Sequence, residues 1–163
     1  MSAHPLHRGR PISFLSLSGG LADSLPAPPV SPEALLRWAA RLHDLRVEWV
    51  SVPGGGARYS RGFGRLGGGV VRIDHRLRGP ALTCTLAEEI GHHVTFYDLP
   101  MPRGVRPTLN ELRALRWAAA VLLPGHWCRP GDSEADIARR WCVTANFVRR
   151  AARLPSALGS PLR

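Results

Sequence analysis

Behind Ser31-Pro32-Glu33, the apolar residues Leu35, Leu36, Ala39, Ala40 and Leu42 recur at helical spacing. Ser31 at the N-cap, Pro32 in the first helical position and an acid in the first turn predict a helix beginning there. Val47 to Val52 alternates loosely and reads as a short strand, closed by Pro53-Gly54-Gly55-Gly56. Gly67-Gly68-Gly69 leads into a second strand, Val70-Val71-Arg72-Ile73-Asp74. From Gly79-Pro80 the period turns helical through His93. Asp98 to Thr108 carries Pro100, Pro102, Gly104 and Pro107, and reads as a loop. Thr108 or Asn110 then caps a helix from Glu111 to Leu123, which Pro124-Gly125 stops. Asp132 or Ser133 caps a helix through Arg140, and Thr144 to Leu154 forms the last one. There are no internal repeats.

The flanks have a different texture. Residues 1–30 are rich in Pro, Ser and Gly, end in Pro26-Ala27-Pro28-Pro29, and read as a flexible N-terminal arm. Residues 31–154 form one domain, and residues 155–163 a frayed tail. A chain of 163 residues holds about one domain with a real core. No apolar run reaches the roughly 18 residues that span a bilayer. Ile12-Ser13-Phe14-Leu15-Ser16-Leu17 is short and broken by serines, so no secretion signal is expected. Cys84, Cys128 and Cys142 form no C-x-x-C and are odd in number. That fits a reducing cytoplasm, with each thiol a small buried apolar group.

Charge changes the picture less than its size suggests. The net charge is +10, yet every one of the 22 basic residues is arginine. Abundant Arg, Gly, Pro and Ala together are what a GC-rich coding sequence produces. The field still favours acidic partners, but no aromatic-interleaved basic patch marks a nucleic-acid surface. Direct nucleic-acid binding is not expected, and neither is a membrane partner. The C-terminal helices, with Arg139, Arg140, Arg149, Arg150 and Arg153, have a helix-turn-helix rhythm and keep a DNA-binding module open as a third reading. The glycine runs lack G-x-x-x-x-G-K-[ST] and read as hairpin or loop.

Candidate chemistry sits in Glu88-Glu89-Ile90-Gly91-His92-His93. Residues four apart share a helix face, so Glu88 and His92 stand one above the other with Glu89 beside them. This is the geometry of H-E-x-x-H, in which two residues hold zinc and the intervening Glu activates water. Glu stands at the first position here; carboxylates bind zinc at about 2.0–2.2 Å. A second register pairs Glu89 with His93, but then Ile90 falls on the base position and cannot take a proton. Catalytic zinc usually has three protein ligands, and Glu111 is the third candidate. Ala114, Leu115 and Ala118 follow it at helical spacing, which places it on a buried face, where a carboxylate needs a partner. Alternatively, Glu111 is a helix-start carboxylate favoured by the macrodipole, and the Glu-His stretch a solvated helix face. His93 is a candidate for holding substrate or an oxyanion, or else a packed histidine. Asp98 is a reserve ligand, with Tyr97 nearby. His43, His75 and His126 have no partner at metal spacing.

Thr83-Cys84-Thr85-Leu86-Ala87-Glu88-Glu89-Ile90-Gly91-His92-His93 resembles the active-site helix of the ImmA/IrrE metallopeptidases, in particular the phage- and mobile-element-associated branch with L-A-E-E-[LI]-G-H. Glu111-Leu112-Arg113-Ala114-Leu115-Arg116-Trp117-Ala118, followed by Leu122-Leu123-Pro124, is similar to that family's E-x-x-A-x-x-[WF]-A signature. Asp136 to Val148 resembles its closing helices. The resemblance runs in order from about Pro32 to Leu154. It implies an α+β fold with a zincin-like core, a small sheet on the active-site helix and a helical C-terminal part. It implies Glu89 as general base, with His92, Glu111 and Glu88 as ligands of Zn2+, though Glu88 stands where the standard motif has histidine. The implied substrate is an XRE-like helix-turn-helix repressor, cleaved or inactivated in the cytoplasm to release a stress response or mobile-element genes. A non-catalytic antirepressor that binds without cutting is the alternative.

Overall fold

The computed structural model describes residues 25–42, 44–61, 68–95 and 107–154. Within them the chain runs α1 (Pro32–Ala39), β1 (Leu45–Val50), β2 (Ala57–Arg61), β3 (Gly69–Asp74), α2 (Gly79–Thr95), α3 (Pro107–Leu122), α4 (Glu134–Trp141) and α5 (Ala145–Ala152). The class is mixed α/β, as the pattern predicts. Most of the N-terminal arm, the C-terminal tail, His43, Tyr97 and Asp98 lie outside the described residues.

Caps fix the helix starts. Ser31 accepts from the Ala34 amide ahead of Pro32. Ser133 and Asp136 form a reciprocal capping box, which selects Ser133 over Asp132. Thr144 accepts from the Phe147 amide. The helix after the proline-rich stretch departs from expectation. It opens at Pro107, so neither Thr108 nor Asn110 is its cap; a proline with fixed φ and no N–H suits a first turn. α2 also continues past His93 to Thr95, whose hydroxyl bonds back to the Gly91 carbonyl.

The three strands order β1-β3-β2. β1 lies parallel to β3, with Leu45 opposite Gly69 and Val50 opposite Asp74. β2 lies antiparallel to β3, with Tyr59 opposite Val71. β2 has no counterpart in the hydrophobic pattern, because only Ala57 and Tyr59 of its five residues offer apolar surface to the core. Central β3 is the strand with a buried face, through Val71 and Ile73. At its end the carboxylate of Asp74, fully buried, accepts from the amides of Val52 and Arg76 and from the Arg76 guanidinium at 2.7–3.1 Å. Those bonds hold it far below the usual carboxylate range and fix the turn that delivers the chain into α2.

α2 packs on α1, α3 and the sheet. Its Leu86, Ala87 and Ile90 meet Leu35 and Trp38 of α1 and Trp117, Ala118 and Leu122 of α3 in one buried cluster that also takes in Ile137, Phe147 and Val148. Each such large side chain contributes about 1.5–3 kcal/mol. Of the three cysteines, all free, Cys84 alone is buried, and its thiol is pushed up to about 11 by desolvation. Cys142 is exposed and closes α4 in the left-handed conformation (φ 53°), so the expectation of three buried thiols holds for one.

Candidate active site

The apolar stripe of α2 faces the core and leaves Glu88, Glu89 and His92 on its flank. Gly91 sets how near α3 comes. A Cβ there would lie 2.7 Å from the Ala114 carbonyl oxygen and 3.1 Å from the Ala114 Cα, so the backbones touch where a larger residue would hold them apart. One turn before Ala114, Glu111 reaches His92, with Oε2 3.4 Å from Nε2. The two residues assigned to one metal therefore converge across the helix pair. Glu111 is not on the buried face, however: its side chain is 59% exposed, because the apolar face of α3 begins one turn later at Ala114 and Leu115.

Glu88 faces elsewhere. Its Oε1 accepts from Arg150 Nη1 at 2.9 Å and its Oε2 pairs with Arg150 Nη2 at 2.8 Å, an end-on fork between α2 and α5. Desolvation pushes its carboxyl up, Arg150 pulls it back, and Glu111 adds to the rise. Arg150 was not assigned to the site by sequence reasoning; nothing in local spacing pairs residues 62 apart.

Glu89 has a strongly altered ionisation. Desolvation raises its carboxyl to about 7, a backbone hydrogen bond from Tyr59 of β2 opposes the rise, and Glu111 and Glu88 reinforce it. A carboxyl poised near neutrality suits proton transfer. Neighbouring His93 is buried. Asp44 Oδ1 lies 3.1 Å from its Nε2, and the Tyr59 hydroxyl 3.2 Å from its Nδ1. An ionised carboxylate only accepts, so Nε2 donates to Asp44. Both ring nitrogens are engaged within the chain, by Asp44 and Tyr59. Tyr59 also lies parallel to the His92 ring, with centroids 6.4 Å apart. Gly69 makes room for this arrangement: a Cβ there would fall 2.5 Å from the Tyr59 ring and 2.6 Å from His93 Nδ1.

Tyr59 and Asp44 are the other residues missed. A signal for Tyr59 existed in the alternation of Ala57 and Tyr59 after Gly54-Gly55-Gly56, although that loop carries the chain across the sheet and not through a hairpin. The solvated-face alternative for the Glu-His stretch fails on burial: Glu88 is 17% and His92 12% exposed.

The donor chemistry fits a zinc ion. Glu111 lies near enough to Glu88 and Glu89 to raise the carboxyls of both, with Arg150 opposing the rise at Glu88. The donors are imidazole nitrogen and carboxylate oxygen, both ordinary zinc ligands. As the side chains stand, no group of three His, Cys, Asp or Glu residues among those described is close enough to hold a metal. His92 and Glu111 meet, and Glu88 is the donor held away by Arg150.

Four arginines of the C-terminal helices pair within the chain. Arg149 pairs with Glu134 at 2.8 Å, Arg140 with Asp132 at 2.7 Å, Arg139 with Asp136 and Arg150 with Glu88. No helix among the described residues is long and apolar enough to cross a membrane. The chain matches no protein-family model and no curated protein.

Proposed function

We propose that the chain is a zinc-dependent endopeptidase acting in the cytoplasm on an XRE-like helix-turn-helix repressor, which it cleaves to release a stress response or mobile-element genes. The observation that carries this reading is the convergence of His92 and Glu111 beside the buried, near-neutral Glu89. The ordered resemblance of the two helices that supply them to the ImmA/IrrE pattern, on a small sheet packed against α2, supports a zincin-like core. His92, Glu111 and Glu88 would hold the metal. When bound, zinc supplies Lewis acidity, lowering the pKa of water and polarising a carbonyl.

The chain's own residues do the rest. Glu89, tuned near neutrality by burial, takes a proton from the attacking water and hands it to the departing amine nitrogen. The Tyr59 amide holds that carboxylate in place, and Tyr59 is itself fixed by His93 and Asp44. The test is incubation with the repressor encoded beside the gene, with and without a chelator. Glu89→Gln is expected to retain zinc and lose cleavage by on the order of 10²–10⁴-fold. Cleavage that survives both chelation and this substitution contradicts the reading.

A second reading draws on the Glu88–Arg150 fork, which satisfies Glu88 without a metal. In that case the chain binds its repressor as a non-catalytic antirepressor. Tight binding of the repressor with no cleavage at saturating zinc selects it.

A further inference from the structure

Arg150 belongs to α5, and its guanidinium caps the one zinc-ligand candidate that departs from the standard motif. Glu88 offers two carboxylate oxygens, and Arg150 takes one with each terminal nitrogen, at 2.9 and 2.8 Å. The fork takes an acceptor site on each of the two oxygens, the same atoms a metal would use. Arginine stays charged at all accessible pH and cannot yield by losing a proton. Two cations brought to one partly buried carboxylate repel each other at short range. We propose that Arg150 and zinc compete for Glu88, so that the metal loads fully only when the arginine swings out. The inference rests on the proposed zinc site.

The surroundings allow that exchange. The Arg150 side chain is 40% exposed and so has solvent to move into, while Glu88 is fixed on α2 at 17%. α5 does not depend on the pair for its position. Phe147, Val148 and Ala151 are buried, Arg149 holds Glu134, and the Thr144 amide donates to Cys84 Sγ at 3.4 Å. Removing the guanidinium therefore frees Glu88 without dislodging the helix. The coupling is reciprocal: whatever Arg150 takes from metal affinity, bound metal takes from the Arg150 pair. If Glu88 is released about 1% of the time, zinc binds about a hundredfold more weakly than to a free Glu88.

The experiment is calorimetric titration of the full chain with zinc chloride, comparing wild type with Arg150→Met, Arg150→Lys, Glu88→Ala and the Glu88→Ala/Arg150→Met double variant. Arg150→Met should tighten zinc at least about tenfold, and Arg150→Lys, which lacks the fork, by less. With Glu88 absent, Arg150→Met should change nothing, since the coupling runs through that carboxylate. Equal or weaker binding by Arg150→Met, with zinc still bound by wild type and lost in His92→Ala, overturns the competition and leaves the zinc site standing. No zinc binding in any variant overturns both. Wild-type protein gives an independent readout should a variant misfold. Saturating zinc should speed phenylglyoxal modification of Arg150, read by peptide mass spectrometry, and an unchanged or slower rate contradicts the proposal.

Discussion

Glu89 shows how one burial sets both chemistry and stability. Its carboxyl titrates near 7 in the folded chain against an ordinary value of 4.5, with desolvation the main cause. Between those pH values the folded, metal-free chain keeps a proton that the unfolded chain has released. Folding is therefore weakened as pH rises through that window, and the burial is harmless below it. Glu89→Gln should then stabilise chelator-treated protein at pH 8 by on the order of 2 kcal/mol, and by little at pH 4. Denaturant melts at the two pH values check this, and an equal effect at both contradicts it. Asp132 has the opposite sign. Held at about 2 by Arg140, it contributes stability above its unfolded value that is lost as pH falls toward 2.

At the scale of elements, the crossing of α2 and α3 makes the site, and Gly91 makes the crossing. Alanine normally improves an exposed helix position by about 1 kcal/mol over glycine. Here the added methyl meets the Ala114 backbone at 2.7 Å, so the helices have to part. Gly91→Ala should destabilise by about 1–3 kcal/mol and weaken zinc binding, because the His92–Glu111 approach of 3.4 Å depends on the same contact. A stabilised variant with unchanged metal affinity contradicts that account. The helices themselves were legible: Ser31-Pro32, Ser133 with Asp136, and Thr144 announce their starts through local side-chain bonds. Pro107 was obscured by the prolines before it. β2 was obscured because Ala-Arg-Tyr-Ser-Arg carries too little apolar surface to stand out.

Across the whole molecule, the site gathers α2, α3, α5, β2 and the residue before β1. What the sequence made readable is the part within one helix, where Glu88, Glu89 and His92 are bound by a four-residue period. The Asp44–His93 and Arg150–Glu88 contacts join residues 49 and 62 apart, and only the fold brings such residues together. Glu111 was reached from its place at a helix start and then through a downstream motif, and it meets His92 at 3.4 Å from an exposed face and not the buried one expected. Of the C-terminal arginines, Arg139, Arg140, Arg149 and Arg150 each pair with a carboxylate of their own chain, contacts that the sequence pattern does not announce.

The central claim is a metal site on α2 and α3, and zinc titration of purified full-length protein, with elemental analysis of the product, tests it most directly. One zinc per chain is expected. His92→Ala and Glu111→Ala should each weaken binding by more than the roughly 10–100-fold typical of a supporting residue, with the fold intact by circular dichroism. Zinc-supplemented wild-type protein that binds none, or binding indifferent to both substitutions, would contradict the account.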